Sequence, residues 1–158
     1  MCKTTFLIFL AVGFLAAASI DSSAQTSRKS VLAAEVNGTF RHRFSGKFKS
    51  SSSDIMIWSL GHGKLKVAFD LIYPYVVNGE LSANMGQAEG EATISGDTAV
   101  YRSSEFGQCA ITIKFVKPGT IKVSQNGTEN DCGFGHNVTA EGTYRKINSK
   151  KPKFDTTN

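Results

Sequence analysis

No stretch of this chain carries a Cys-x-x-Cys pair, a Gly-x-Ser-x-Gly elbow or a phosphate-binding glycine loop. Its three histidines, His42, His62 and His136, never stand at the i, i+2 or i, i+4 spacing of metal ligands. Dithiol redox chemistry, the serine-hydrolase elbow and a histidine metal site are therefore not expected. Cysteine is scarce, with three in the chain, and beyond the first twenty residues no apolar run is long enough to cross a bilayer. Sustained helical periodicity is missing, as is the strand-helix-strand rhythm of a parallel α/β fold. No cofactor and no metal are implied.

The apolar run that does exist lies at the start. Lys3 precedes Phe6 to Ala18, and Ser22-Ser23-Ala24 places small residues before Gln25. That layout predicts a secretory signal peptide over residues 1–24. A membrane anchor would need about 18 apolar residues. A lipoprotein anchor would need its cysteine after the run, whereas Cys2 lies before it. Removing 1–24 takes away Lys3 and Asp21, so the mature charge stays at +5. Mild basicity favours acidic surfaces such as anionic lipid, polyanionic wall polymers or nucleic acid. The expected location is outside the cytoplasm, secreted or periplasmic.

Two cysteines remain in the mature chain. In an exported protein Cys109 and Cys132 read as one disulfide, closing a loop of about 23 residues worth roughly 3 kcal/mol in the chain-entropy account.

From there the chain alternates apolar and polar residues between turn signals. Leu65, Val67, Phe69 and Leu71 oppose Lys64, Lys66 and Asp70. Leu81, Ala83 and Met85 are predicted to face inward against Glu80, Ser82 and Asn84, and a next strand sets Ala88, Ala92 and Ile94 against Glu89, Glu91 and Thr93. Further strands are read over Cys109–Phe115, Thr120–Gln125 and Asn137–Lys146. Asp54 to Leu60 is apolar on both faces and calls for a cover, for which the N-terminal segment is one choice. Gly61-His62-Gly63, Asn78-Gly79, Gly96-Asp97, Pro118-Gly119 and Asn126-Gly127 suit tight turns.

Eight or nine short strands in about 100 residues predict an all-β domain, a small closed antiparallel up-and-down barrel or, failing closure, an open β-sandwich. A Gly-polar-aromatic-basic echo favours closure. It occurs at Gly38-Thr39-Phe40-Arg41, Gly46-Lys47-Phe48-Lys49 and Gly142-Thr143-Tyr144-Arg145, as first and last strands packed side by side would share. The expected domains are a linker over 25–43, the barrel over 44–147 and a disordered basic tail over 148–158.

Several residues are candidates for function. Tyr73-Pro74-Tyr75 reads as a stiff loop offering amphipathic contact area, or as packing across a barrel end. Trp58 ranks after it. Glu89 and Glu91 share a face roughly 7 Å apart, which suits acid-base work or a soluble charged wall. Cys132-Gly133-Phe134-Gly135 reads as a structural loop. Asn37, Asn126 and Asn137 head Asn-x-Thr triplets that matter only in a eukaryotic secretory host.

Gly61-His62-Gly63-Lys64-Leu65-Lys66-Val67, Ile72-Tyr73-Pro74-Tyr75, the Gly-rich strands from Gly86 to Gly96, Cys109 to Phe115 and Cys132-Gly133-Phe134-Gly135 through Lys146 resemble a domain of uncharacterised exported bacterial proteins. The architecture is also loosely similar to small periplasmic lysozyme-inhibitor and lipocalin-like barrels. What the sequence implies is a non-enzymatic binding module, monomeric, with a macromolecular partner and no nucleic acid. A carrier of a small apolar ligand and a small hydrolase using Glu89 and Glu91 are the alternatives.

Overall fold

The computed structural model describes residues 30–154; the signal-peptide reading of 1–24 lies outside them. Eight strands form a closed barrel in chain order. They are β1 Gly38–Arg43, β2 Ser52–Gly61, β3 Lys64–Val77, β4 Glu80–Ser95, β5 Thr98–Ser103, β6 Cys109–Lys117, β7 Thr120–Asn126 and β8 Gly142–Asn148. Each pairs antiparallel with the next, and β1 closes on β8 through Phe40↔Lys146 and Arg41↔Arg145. The up-and-down barrel expected from the alternation is therefore the fold, and the open sandwich is not.

The interior is filled by the alternating apolar residues. Phe40, Ile55, Ile57, Leu65, Val67, Phe69, Leu71, Ile111, Ile113, Phe115, Ile121 and Tyr144 are buried. Phe40 meets Phe115 edge-on at 6.3 Å and Phe69 meets Tyr101 at 5.3 Å between ring centroids. Gly90 makes room for Tyr101, whose Cε2 would lie 2.9 Å from a Cβ there. Charged side chains line the outside, the reverse of a barrel that faces lipid. Among the described residues no helix is long and apolar enough to cross a membrane.

Cys109 and Cys132 are bonded, with Cα atoms 4.9 Å apart. The bridge ties the loop between β7 and β8 to β6. In that loop Phe134 and Val138 are buried against one end of the barrel. Near the other end lies a short helix, α1 (Ala33–Val36). The Lys146 ammonium donates to the carbonyls of Ala34 and Asn37, each at 2.8 Å, satisfying acceptors that a helix end leaves open. Burial holds that ammonium below its usual range, with the Glu35 charge acting the other way.

Several boundaries differ from the sequence reading. The first strand, Gly38–Arg43, lies inside the stretch read as a linker, 25–43. Only Phe40 gives it a strong inward apolar signal, so its alternation is faint. Of the three echo copies, those at Gly38 and Gly142 open the closing strands β1 and β8, while Gly46–Phe48 forms a single 3₁₀ turn. Residues 137–141 are loop, and β8 begins at Gly142. β5 completes the wall where the reading marked only the Gly96-Asp97 turn.

The C-terminal segment read as disordered lies in part on the wall. Asn148 ends β8, the Lys151 ammonium sits 5.8 Å over the Trp58 ring, and Lys66 lies 6.0 Å from the Phe154 ring. Lys153 lines one cleft with Met56, Ala68 and Glu89. This basic segment lies over part of the outer apolar face of β2, at Met56 and Trp58. Aromatic rings under lysine stems and ammonium groups are a favourable pairing.

Candidate functional site

β3 and β4 pair along fourteen residues without a shift in register. Their neighbours stop short. β2 reaches only Asp70 on β3, and β5 reaches only Ala92 on β4. The hairpin therefore projects as an arm past the barrel wall. Asn78 and Gly79 close it with φ of 51° and 85°, the positive pair that a tight hairpin turn of matching twist requires.

Tyr73, Pro74 and Tyr75 lie on this arm, within β3, and are not a loop. The local rule that proline breaks a strand fails here because Pro74 stands at an edge. Ile94 N donates to Gly63 O at 2.8 Å, which fixes which residues of the ladder bond across the hairpin. Even-numbered β3 residues then turn their backbone groups away from β4. Pro74 is one of them, so its missing N–H costs the ladder nothing. Ile72, another, donates its N–H to Ser53 Oγ at 3.0 Å.

The parity of β4 corrects a second expectation. Gly86 turns inward, where a Cβ would come within 2.8 Å of Val138 and 2.9 Å of Phe134. Ala88 and Ala92 share its parity, as read. Because β4 is one strand from Glu80 to Ser95, odd residues must point outward along its length. Leu81, Ala83 and Met85 are thus on the outer face. No break separates Met85 from Ala88, so the inward face expected for Leu81, Ala83 and Met85 is the outward one.

Cross-strand partners on that outer face are Ile72 with Met85, Pro74 with Ala83 and Val76 with Leu81. All six are apolar. On the other face stand Tyr73, Tyr75 and Val77 opposite Asn84, Ser82 and Glu80. Tyr73, Val76, Val77, Leu81 and Met85 are 40–59% exposed, and make up five of the nine exposed large hydrophobic side chains among the described residues. Glu80 is the only charged residue between Leu71 and Gln87. The sequence reading found Tyr73 and Tyr75 but missed Val76, Val77, Leu81 and Met85. Unbroken parity through the β4 glycines was the signal that could have found them.

The arm is seated at its base by the disulfide-tied loop. Gly135 N donates to Met85 O at 2.9 Å, and Asn84 Nδ2 donates to His136 O at 2.7 Å. Within that loop Asp131 Oδ2 accepts from the N–H and the hydroxyl of Thr128, both at 2.8 Å. Those bonds hold the Asp131 carboxyl below its ordinary range.

The remaining candidates lie elsewhere. Trp58 is half-buried on the outer face of β2, beneath Lys151, away from the tyrosines. Glu89 and Glu91 project from the outer wall, where Glu89 pairs with Lys66 at 2.7 Å and Glu91 with Lys64 at 3.0 Å. His42 Nδ1 lies 3.0 Å from Thr143 O, His62 sits in a turn at φ 50°, and His136 faces Glu129 at 3.6 Å. Among the described residues no three His, Cys, Asp or Glu side chains gather as a metal would need. Tyr144, whose phenol burial pushes well above its usual range with the Asp54 charge adding to the shift, donates to Ala140 O at 3.0 Å and serves the core.

The fold is thus a small eight-stranded, disulfide-linked barrel with a protruding apolar arm, and no family model, curated protein or solved structure matches the chain.

Proposed function

We propose that this is an exported, non-enzymatic binding module that docks a protein partner through the β3–β4 arm. The observation that carries this reading is the all-apolar outer face of the arm, on which Val76, Leu81, Ala83 and Met85 are exposed beside half-buried Ile72 and buried Pro74. Contiguous exposed apolar surface of this kind marks interaction sites. Depletion of charge, with tyrosine and methionine present, is the composition of an interface centre. An anionic or sugar polymer would call for charges or many donors there. A groove in a folded protein calls for this surface.

The carrier reading loses its support because the barrel interior is occupied by Phe40, Phe69, Phe115, Tyr101 and Tyr144. Glu89 and Glu91 are each engaged by a lysine on the outer wall, which favours a charged surface over a hydrolytic pair. The likeness to inhibitor barrels extends to size, closure and one disulfide.

Native mass spectrometry of the protein purified from its own host tests this reading. The wild-type chain should retain a protein companion at fixed stoichiometry, and Leu81→Asp/Met85→Asp should lose it while remaining folded. The same companion on both forms, a mass of two copies of this chain, or a bound small molecule would each overturn it.

A further inference from the structure

Charge is divided between the two halves of the barrel. Strands β6, β7, β8 and β1, which are contiguous in the closed sheet, hold seven lysines and arginines and no aspartate or glutamate. Strands β2 to β5 hold three basic and five acidic residues. The strand residues thus sum to +7 on one half of the wall and −2 on the other. Lys146 turns inward to α1, while Lys114, Lys122, Arg41, Arg43 and Arg145 occupy outward positions and Lys117 is exposed at a hairpin end.

Register sets these charges in two rows. One runs Asp54, Arg41, Arg145, Thr120, Lys117 through successive pairs. The next runs Thr143, Lys122, Lys114, Thr98, two residues along the strands and about 7 Å away. Arg41 thus stands directly beside Arg145, and Lys114 beside Lys122. Like charges placed opposite one another destabilise a sheet. Asp54 relieves Arg41, with contacts of 2.7 and 2.6 Å. Among the described residues no ion pair engages Arg43, Lys114, Lys122 or Arg145. Arg41, Arg43, Thr143 and Arg145 also line one cleft in this surface.

We infer that this half-wall is a second binding surface, separate from the arm, for a flexible linear polymer of phosphate groups. Guanidinium forks and ammonium groups match phosphate oxygens. The surface curves over four strands, a span of about 14 Å across three strand spacings. A flexible chain can follow that curve, whereas a flat bilayer meets a barrel only along a line. The aromatic residues of these strands, Phe40, Phe115 and Tyr144, all point inward, so no outward ring on them offers a base-stacking platform for a single-stranded nucleic acid.

The probe is inorganic polyphosphate, with binding followed by fluorescence anisotropy across a salt series. Wild type should bind at low salt, with affinity falling as salt rises. Lys114→Gln/Lys122→Gln should weaken binding at least about tenfold and flatten the salt slope by about two charges. It should also melt no earlier than wild type, because it removes a like-charge pair. Lys64→Gln/Lys66→Gln, which lowers the net charge equally on the other half, should stay within twofold. Equal losses in both variants, no binding at low salt, tighter binding to an oligonucleotide of equal charge, or binding only to vesicles of anionic lipid would each overturn the inference.

Discussion

The two halves of the β3–β4 hairpin share one ladder and one outer face, yet that face changes character at Asp70 and Gln87. Toward the barrel it carries Lys64, Lys66, Glu89 and Glu91, joined across the strands at 2.7 to 3.0 Å. Toward the tip it carries six apolar side chains and no charge. On the opposite face Phe69 and Leu71 are buried in the core, whereas Tyr73 and Val77 of the same parity are exposed. The base obeys the economy of a wall, oily inside and charged outside. The tip obeys neither rule, and folding alone gives no reason for it. Sheets normally blunt such exposed strands with charge or proline. Here Pro74 defends the β3 edge and nothing comparable stands at Leu81 or Ala83.

That contrast predicts opposite responses to mutation along one hairpin. The largest effect belongs to the base, where Phe69→Ala should cost about 3–5 kcal/mol in chemical unfolding, since it opens a cavity beside Tyr101. A loss under about 1 kcal/mol would place Phe69 outside the stabilising core. At the junction, Gly86→Ala drives a methyl group toward Phe134 and Val138 and should cost about 1–3 kcal/mol. It should also speed amide exchange in residues 128–138, above all at Gly135, because the loop can no longer seat. At the tip, Leu81→Asp/Met85→Asp should change stability by less than about 0.5 kcal/mol. A drop like that at Phe69 would make the arm a structural element.

The smallest effect is that of acid. Asp131 titrates below its ordinary value, so its bonds to Thr128 are present above the unfolded carboxylate range near pH 3.9 and are lost as pH falls through the lowered value. Exchange at the Thr128 and Gly135 amides should rise over that window while the barrel amides stay protected. Uniform exchange across the loop and barrel would mean that the loop is not a separate unit.

Most of the barrel was legible because period-two alternation is a direct imprint of a wall with one oily side. Leu65 to Leu71 and Ile111 to Phe115 face as the pattern says, and the two late cysteines meet. The arm was half legible. The tyrosines drew notice by type, but Pro74 and the Asn78-Gly79 turn read as a loop, because sequence does not reveal which strand lies at an edge. Leu81 and Met85 were assigned inward by the general rule that apolar residues go inside, which fails where a surface is kept for a partner. β1 carries one copy of the echo yet falls within the stretch read as linker, because its place comes from pairing with β8, a contact between residues some hundred positions apart in the chain. The covering of Trp58 by Lys151 is likewise a long-range event without a local signal.

Hydrogen-exchange mass spectrometry of the companion complex, compared with the free protein, addresses the docking arm most directly. New protection should fall on residues 71–87 and fade at the ion-paired base, with β6 to β8 unchanged. Protection that instead spreads over the basic strands, or leaves the arm exchanging as fast as in the free chain, would contradict it.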